Sequence, residues 1–150
     1  MKPEESIDFQ IQMAWQVIRK LYNDVAGGFG FSWAAGKVLL AIDPDKGSPS
    51  TTLGPKMGIE STSLSRLLNK MEDHGYIERK SVKEDKRKVQ VTLTKKGKEH
   101  REKARLTVIR LNESIEKKLG KKEYEATIRN LNDLVDIIQG GDVDAADLSD

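Results

Sequence analysis

A mainly α-helical chain carrying one small β-hairpin is the predicted fold class, on three observations. Apolar residues recur at steps of three and four through most of the 150 residues, the signature of amphipathic helices. Two short runs, Tyr76–Lys80 and Val89–Leu93, read as strands instead, the second with clean alternation. Between them Ser81–Lys88, with Lys83, Lys86, Arg87 and Lys88, is too long for a tight hairpin and is expected to project as a basic flap.

Taken in order, Ile7, Ile11, Ala14, Trp15, Ile18, Leu21, Tyr22 and Val25 share one helical face, and Gly27-Gly28 ends that helix. Ser32 is a suitable N-cap for a second helix through Ile42, because its hydroxyl can accept from a free first-turn amide. Asp43-Pro44-Asp45-Lys46-Gly47 stops it in a turn. Thr51–Met57 reads as a short helix, with Pro55 as the alternative start because proline removes a helical hydrogen bond.

Ser61–His74 buries Leu64, Leu67, Leu68 and Met71 on one face. Its start and opposite face present Ser61, Thr62, Ser63, Ser65, Arg66, Asn69 and Lys70. Small, polar and cationic side chains suit a helix that lies in a DNA major groove; a solvated helix face has the same composition. Gly75 ends this helix and the hairpin follows, so the order is helix, strand, basic loop, strand: a winged helix. Thr94 then caps a long charged helix to about Lys118, and a last helix runs from Lys121 to about Gln139. In it Tyr124, Ile128, Leu131, Val135 and Ile138 form an apolar stripe widened by Leu134 and Ile137. One small domain cannot bury this stripe together with the first helix, so a two-fold homodimer is expected.

Charge distribution adds a partner. The net charge is only +2, but Arg79–Arg105 holds twelve cations against four carboxylates, about +8 locally. A polyanion is attracted to such a stretch, although charge runs are also ordinary solvated faces. Residues 140–150, with Asp142, Asp144, Asp147 and Asp150, are expected to form a disordered acidic tail.

Other chemistry is excluded or weak. The chain has no cysteine, which removes disulfides, thiolate metal sites and thiol redox sensing. His74 and His100 are too few for a metal site and are expected at the surface. In Gly28-Phe29-Gly30 the third glycine of a phosphate loop is replaced by Trp33. No catalytic constellation is present, so neither an enzyme nor a cofactor is expected. The polar N-terminus and the lack of a long apolar run predict no export and no membrane span, hence a cytoplasmic protein. Phe9, Trp15, Tyr22, Phe29, Phe31 and Trp33 all precede residue 34. Trp15, Tyr22 and Trp33 are the candidates for an effector cleft, against ordinary core packing as the alternative.

With these elements in place the chain resembles the MarR family of winged-helix regulators over residues 7–139. The resemblance is carried by Asp85-Lys86-Arg87-Lys88-Val89-Gln90-Val91-Thr92-Leu93-Thr94-Lys95-Lys96-Gly97, similar to the family's wing signature, and by Ser63–Arg79, similar to its recognition helix entering the first wing strand. It implies residues 7–27 and 98–139 as dimerisation helices, 32–97 as the DNA-binding lobe, and a pseudo-palindromic double-stranded operator. Arg87 would then enter the minor groove between Lys86 and Lys88, with Asp85 supporting the wing. Two departures stand out: Glu60 replaces a small N-capping residue, and Gly54-Pro55 interrupts the preceding helix. The function expected is a sequence-specific repressor released by a small apolar or aromatic molecule; the alternative is a ligand-independent architectural DNA-binding protein.

Overall fold

In the computed structural model, which describes residues 2–82, 85–141 and 143 and only the backbone of 82 and 85–87, the first helix boundaries have local causes. Ser6 accepts from Phe9 N–H and opens α1 (Ile7–Gly28), and the Phe29 amide closes on Ala26 and Gly27. Ser32 accepts from Ala35 N–H at 3.2 Å and opens α2 (Trp33–Ala41), as expected. Asp43 then folds the chain back, its carboxylate accepting from the Asp45 and Lys46 amides at 2.9 and 2.8 Å. Those bonds, led by the one from Lys46, hold its pKa below the usual carboxylate value.

A two-residue strand absent from the sequence expectation follows, β1 (Ser48–Pro49). It pairs with the strand that Val91 occupies, and a Cβ on Gly47 would meet the Val91 carbonyl oxygen at 2.5 Å. Only glycine, at φ +73°, lets the backbone come so near. Next, α3 (Ser50–Met57) keeps Pro55 inside it, so the alternative start at Pro55 is not the one adopted. Gly54 is buried there, and a Cβ in its place would meet the Ile59 carbonyl oxygen at 3.0 Å.

The strands β2 (Ile77–Val82) and β3 (Asp85–Leu93) correct the expected eight-residue flap. Pairing continues from Ile77↔Leu93 to Val82↔Asp85, with an irregularity between Ser81 and Val82. Sheet order is β1-β3-β2, all antiparallel. In the sequence every position from Lys83 to Lys88 is charged, so no apolar alternation marks that stretch as strand.

Two compact units result, residues 1–107 and 108–150. In the first, Val38, Leu39 and Ile42 of the α2 region, Leu53 of α3, Leu64, Leu68 and Met71 of α4 (Ser61–Asp73), and Tyr76, Ile77 and Val91 form one buried core. The second holds the last part of α5 (Lys95–Leu119) and all of α6 (Lys121–Gln139), joined at Gly120 with φ +85°. There Tyr124 O–H donates to Asn112 Oδ1 at 2.8 Å. No residue of α6 is buried, and Ile128, Leu131, Val135 and Ile138 are 44–57% exposed. The expected acidic tail, apart from Gly140, Gly141 and Val143, lies outside the described residues.

Candidate nucleic-acid interface

Burial of Leu64, Leu68 and Met71 turns the other side of α4 outward. Ser61, Thr62, Ser63, Ser65, Arg66, Asn69 and Lys70 are all exposed on it. Within this set, Ser65 O–H donates to the Ser61 carbonyl at 2.9 Å, inside the helix itself. Among the described residues none of these seven side chains bonds to another element. At the leading end Glu60 occupies the N-cap without a side-chain bond to the first turn, so that end has no serine- or aspartate-type cap of its own.

The far end of α4 is held tightly. Glu72 accepts from Arg79 N–H at 3.0 Å and from Arg79 Nε at 2.9 Å, with a further bond to the same guanidinium. These bonds hold the Glu72 carboxyl below its usual pKa. Lys96 Nζ donates to the His74 carbonyl at 2.8 Å and lies 4.5 Å over the Tyr76 ring, a cation placed where a helix C-terminus favours one. Thr94 O–H reaches the carbonyls of Gly75 and Tyr76, and its oxygen accepts from Gly97 N–H at 3.0 Å. A Cβ on Gly97 would lie 1.9 Å from the Tyr76 oxygen. This joint gives Leu93-Thr94-Lys95-Lys96-Gly97 its physical sense: threonine caps α5 while binding the carbonyls that follow α4, and glycine leaves room for the carbonyl of Tyr76.

On the wing Lys88 is exposed, and Lys80 pairs with Glu78 at 3.1 Å. The side chains of Asp85, Lys86 and Arg87 lie outside the described residues; their backbone is part of β3.

The candidate effector residues do not come together as a trio. Tyr22 and Trp33 stack with centroids 3.9 Å apart and both are buried, whereas Trp15 is 43% exposed beneath Lys37 Nζ at 5.7 Å. The helical spacing of Trp15 and Tyr22 did not show which of them faces α2. Sequence reasoning also missed a second aromatic group. His100, expected at the surface, is half-buried and packs against Phe31 and Tyr76 at 5.2 and 4.8 Å, while His74 is exposed. Beside it Phe31, Ala35, Leu67, Lys70, His74 and Tyr76 line much of a cavity of about 290 Å³. Among the described residues no group of three His, Asp or Glu side chains is placed to hold a metal ion.

The family model that matches residues 31–89 is that of the MarR family. The HTH-type transcriptional regulator SarZ of Staphylococcus saprophyticus is 32% identical over 99 residues, 66% of this chain and 68% of that protein. The chain belongs to the MarR family. Other staphylococcal SarZ proteins align over 55% to 84% of their own lengths. Two solved structures of this family's fold are a Staphylococcus aureus MepR–DNA complex, with TM-score 0.78 at 18% identity, and the repressor CouR bound to a 23-mer DNA duplex, with TM-score 0.78 at 22% identity. They cover 87% and 90% of this chain and 96% and 98% of their own. As a MarR-family winged-helix protein the chain is a transcriptional regulator rather than an enzyme. Among its described residues no helix is long and apolar enough to cross a membrane.

Proposed function

We propose that the chain works in the cytoplasm as a homodimer on a pseudo-palindromic operator in double-stranded DNA, repressing transcription until a small apolar or aromatic molecule releases it. The observation that carries this reading is the outward face of α4. Among the described residues Ser61, Thr62, Ser63, Ser65, Arg66, Asn69 and Lys70 make no side-chain bond to another element, on a helix whose opposite end is pinned, as a helix must be to read base edges. Residues 32–97 form the reading lobe in this proposal. The wing, with Lys86, Arg87 and Lys88, follows the adjacent minor groove, and Asp85 supports it. Residues 7–27 and 98–139 join the subunits, which would cover Ile7, Ile11 and Leu21 of α1 and the exposed stripe of α6. An effector in the cavity lined by Phe31, Lys70, His74 and Tyr76 would touch the reading helix directly.

The test starts from a randomised duplex library selected with the full-length protein, followed by titration of the winning duplex and of random duplex. A specific regulator prefers the selected duplex by roughly 10³-fold or more at one salt concentration. Arg66→Ala should cost roughly 1–3 kcal/mol at one position per half-site and leave random-duplex affinity nearly unchanged. A preference near unity at every salt concentration would refute the proposal in favour of an architectural protein.

A further inference from the structure

We infer that Glu72 and Arg79 are positioning residues that make the recognition helix and the wing one reading unit, so that base choice under α4 and groove choice under the wing are coupled. The inference rests on the DNA-binding proposal above. Glu72 sits in the last turn of α4 and Arg79 is the third residue of β2. One carboxylate oxygen takes the Arg79 backbone amide and the other takes its guanidinium, so the carboxylate fixes both the strand and its side chain. Charge-assisted bonds are shorter and stronger than neutral ones, and three of them from one residue to a single carboxylate set orientation as well as distance. Among the described residues no other side-chain hydrogen bond joins α4 to β2. The Lys96 and Thr94 bonds tie the end of α4 to the start of α5, at His74, Gly75 and Tyr76.

The leverage is geometric. From Arg79 to Val82 the strand extends about 10 Å, so a rotation of about 10° at its root moves its far end by about 2 Å. Hydrogen bonds to DNA tolerate only a few tenths of an ångström. The pair is poorly placed to be merely a stabiliser, because its side chains are 29% and 36% exposed and such pairs contribute little to folding. Its root is nevertheless firm, since Arg79 pairs across the sheet with the fully buried Val91.

The experiment uses the duplex selected by the full-length protein and three derivatives: one base pair changed under the helix, an A·T flank changed to G·C under the wing, and both changes together. Affinities are measured for the parent, Glu72→Gln and Arg79→Lys, with thermal melting as the control for folding. In the parent the double change should depart from the product of the single changes by roughly five- to tenfold, and in both variants that departure should fall to near unity. Preference for the selected over random duplex should drop with it, while melting changes little. Should Glu72→Gln fail to fold, Arg79→Lys carries the same test alone. Independent effects in the parent, or undiminished coupling in the folded variants, would overturn the inference while leaving DNA binding intact. Failure of the parent to select any duplex would instead overturn the DNA-binding proposal and this inference with it.

Discussion

Gly97→Ala should destabilise the protein by about 2–4 kcal/mol, although the same change in an ordinary helix is favourable. The new methyl carbon would sit 1.9 Å from the Tyr76 carbonyl oxygen and 3.0 Å from its carbon. Ordinary contact begins near 3.4 Å, so the joint between α4, β2 and α5 must open by about 1.5 Å. That displacement breaks the bonds from Thr94 N–H and O–H to the Tyr76 oxygen, both 3.1 Å, a loss of about 1 kcal/mol each. Overpacking adds about 1–3 kcal/mol, and the helix preference of alanine over glycine returns about 1 kcal/mol. Gly27→Ala is the internal control. It lies inside α1 with ordinary helical φ and nothing within 4 Å of a Cβ, so it should stabilise by about 0.5–1 kcal/mol. Urea denaturation of both variants measures the two signs. A Gly97→Ala protein as stable as the parent would refute the claim that glycine is required there.

Three further outcomes are expected. Leu131→Glu together with Val135→Glu on α6, both about half exposed, should convert a dimer at micromolar concentration into monomer, as read by sedimentation equilibrium. Trp33→Ala should cost about 3–5 kcal/mol because Trp33 is buried against Tyr22, whereas Trp15→Ala, at a half-exposed site, should cost clearly less in the same melts. The Glu72 carboxyl has a folded-state pKa below its ordinary value. The small stability its pair with Arg79 contributes is therefore present above the unfolded-state pKa of about 4.3 and is lost as pH falls through the lower folded-state value. The stability difference between the parent and Glu72→Gln should accordingly shrink on acidification from pH ~6 to ~3; a difference that stays constant would remove the ionic part of the pair.

Helices were the legible part of this fold because their ends carry their own chemistry. Ser32 and Thr94 cap α2 and α5 as read from the sequence, and α1 ends at the expected glycines. Periodicity also located the seven outward residues of α4, since Leu64, Leu68 and Met71 leave only one face for them. Features set by distant pairings were not legible. β1 exists because Gly47 lets Ser48 reach Val91, far along the chain. Lys83–Lys88 is charged at every position of the sequence and so has no periodic signal. The Glu72–Arg79 pair spans a turn whose geometry residue spacing does not encode, and the separation of Trp15 from Tyr22 depends on where α2 packs.

The way α4 is anchored also bears on how the DNA preference proposed for it can change over evolutionary time. Every tether described at its far end uses Glu72, a backbone carbonyl, or a residue of β2 or α5. The seven outward side chains take no part in that anchoring, and surface substitutions of this kind typically shift stability by no more than about 0.5 kcal/mol. On the proposed DNA-binding reading, this outward face can mutate independently of the fold, and a new operator preference would be acquired by exchanging those seven residues alone while Glu72, Arg79, Thr94 and Gly97 stay as they are.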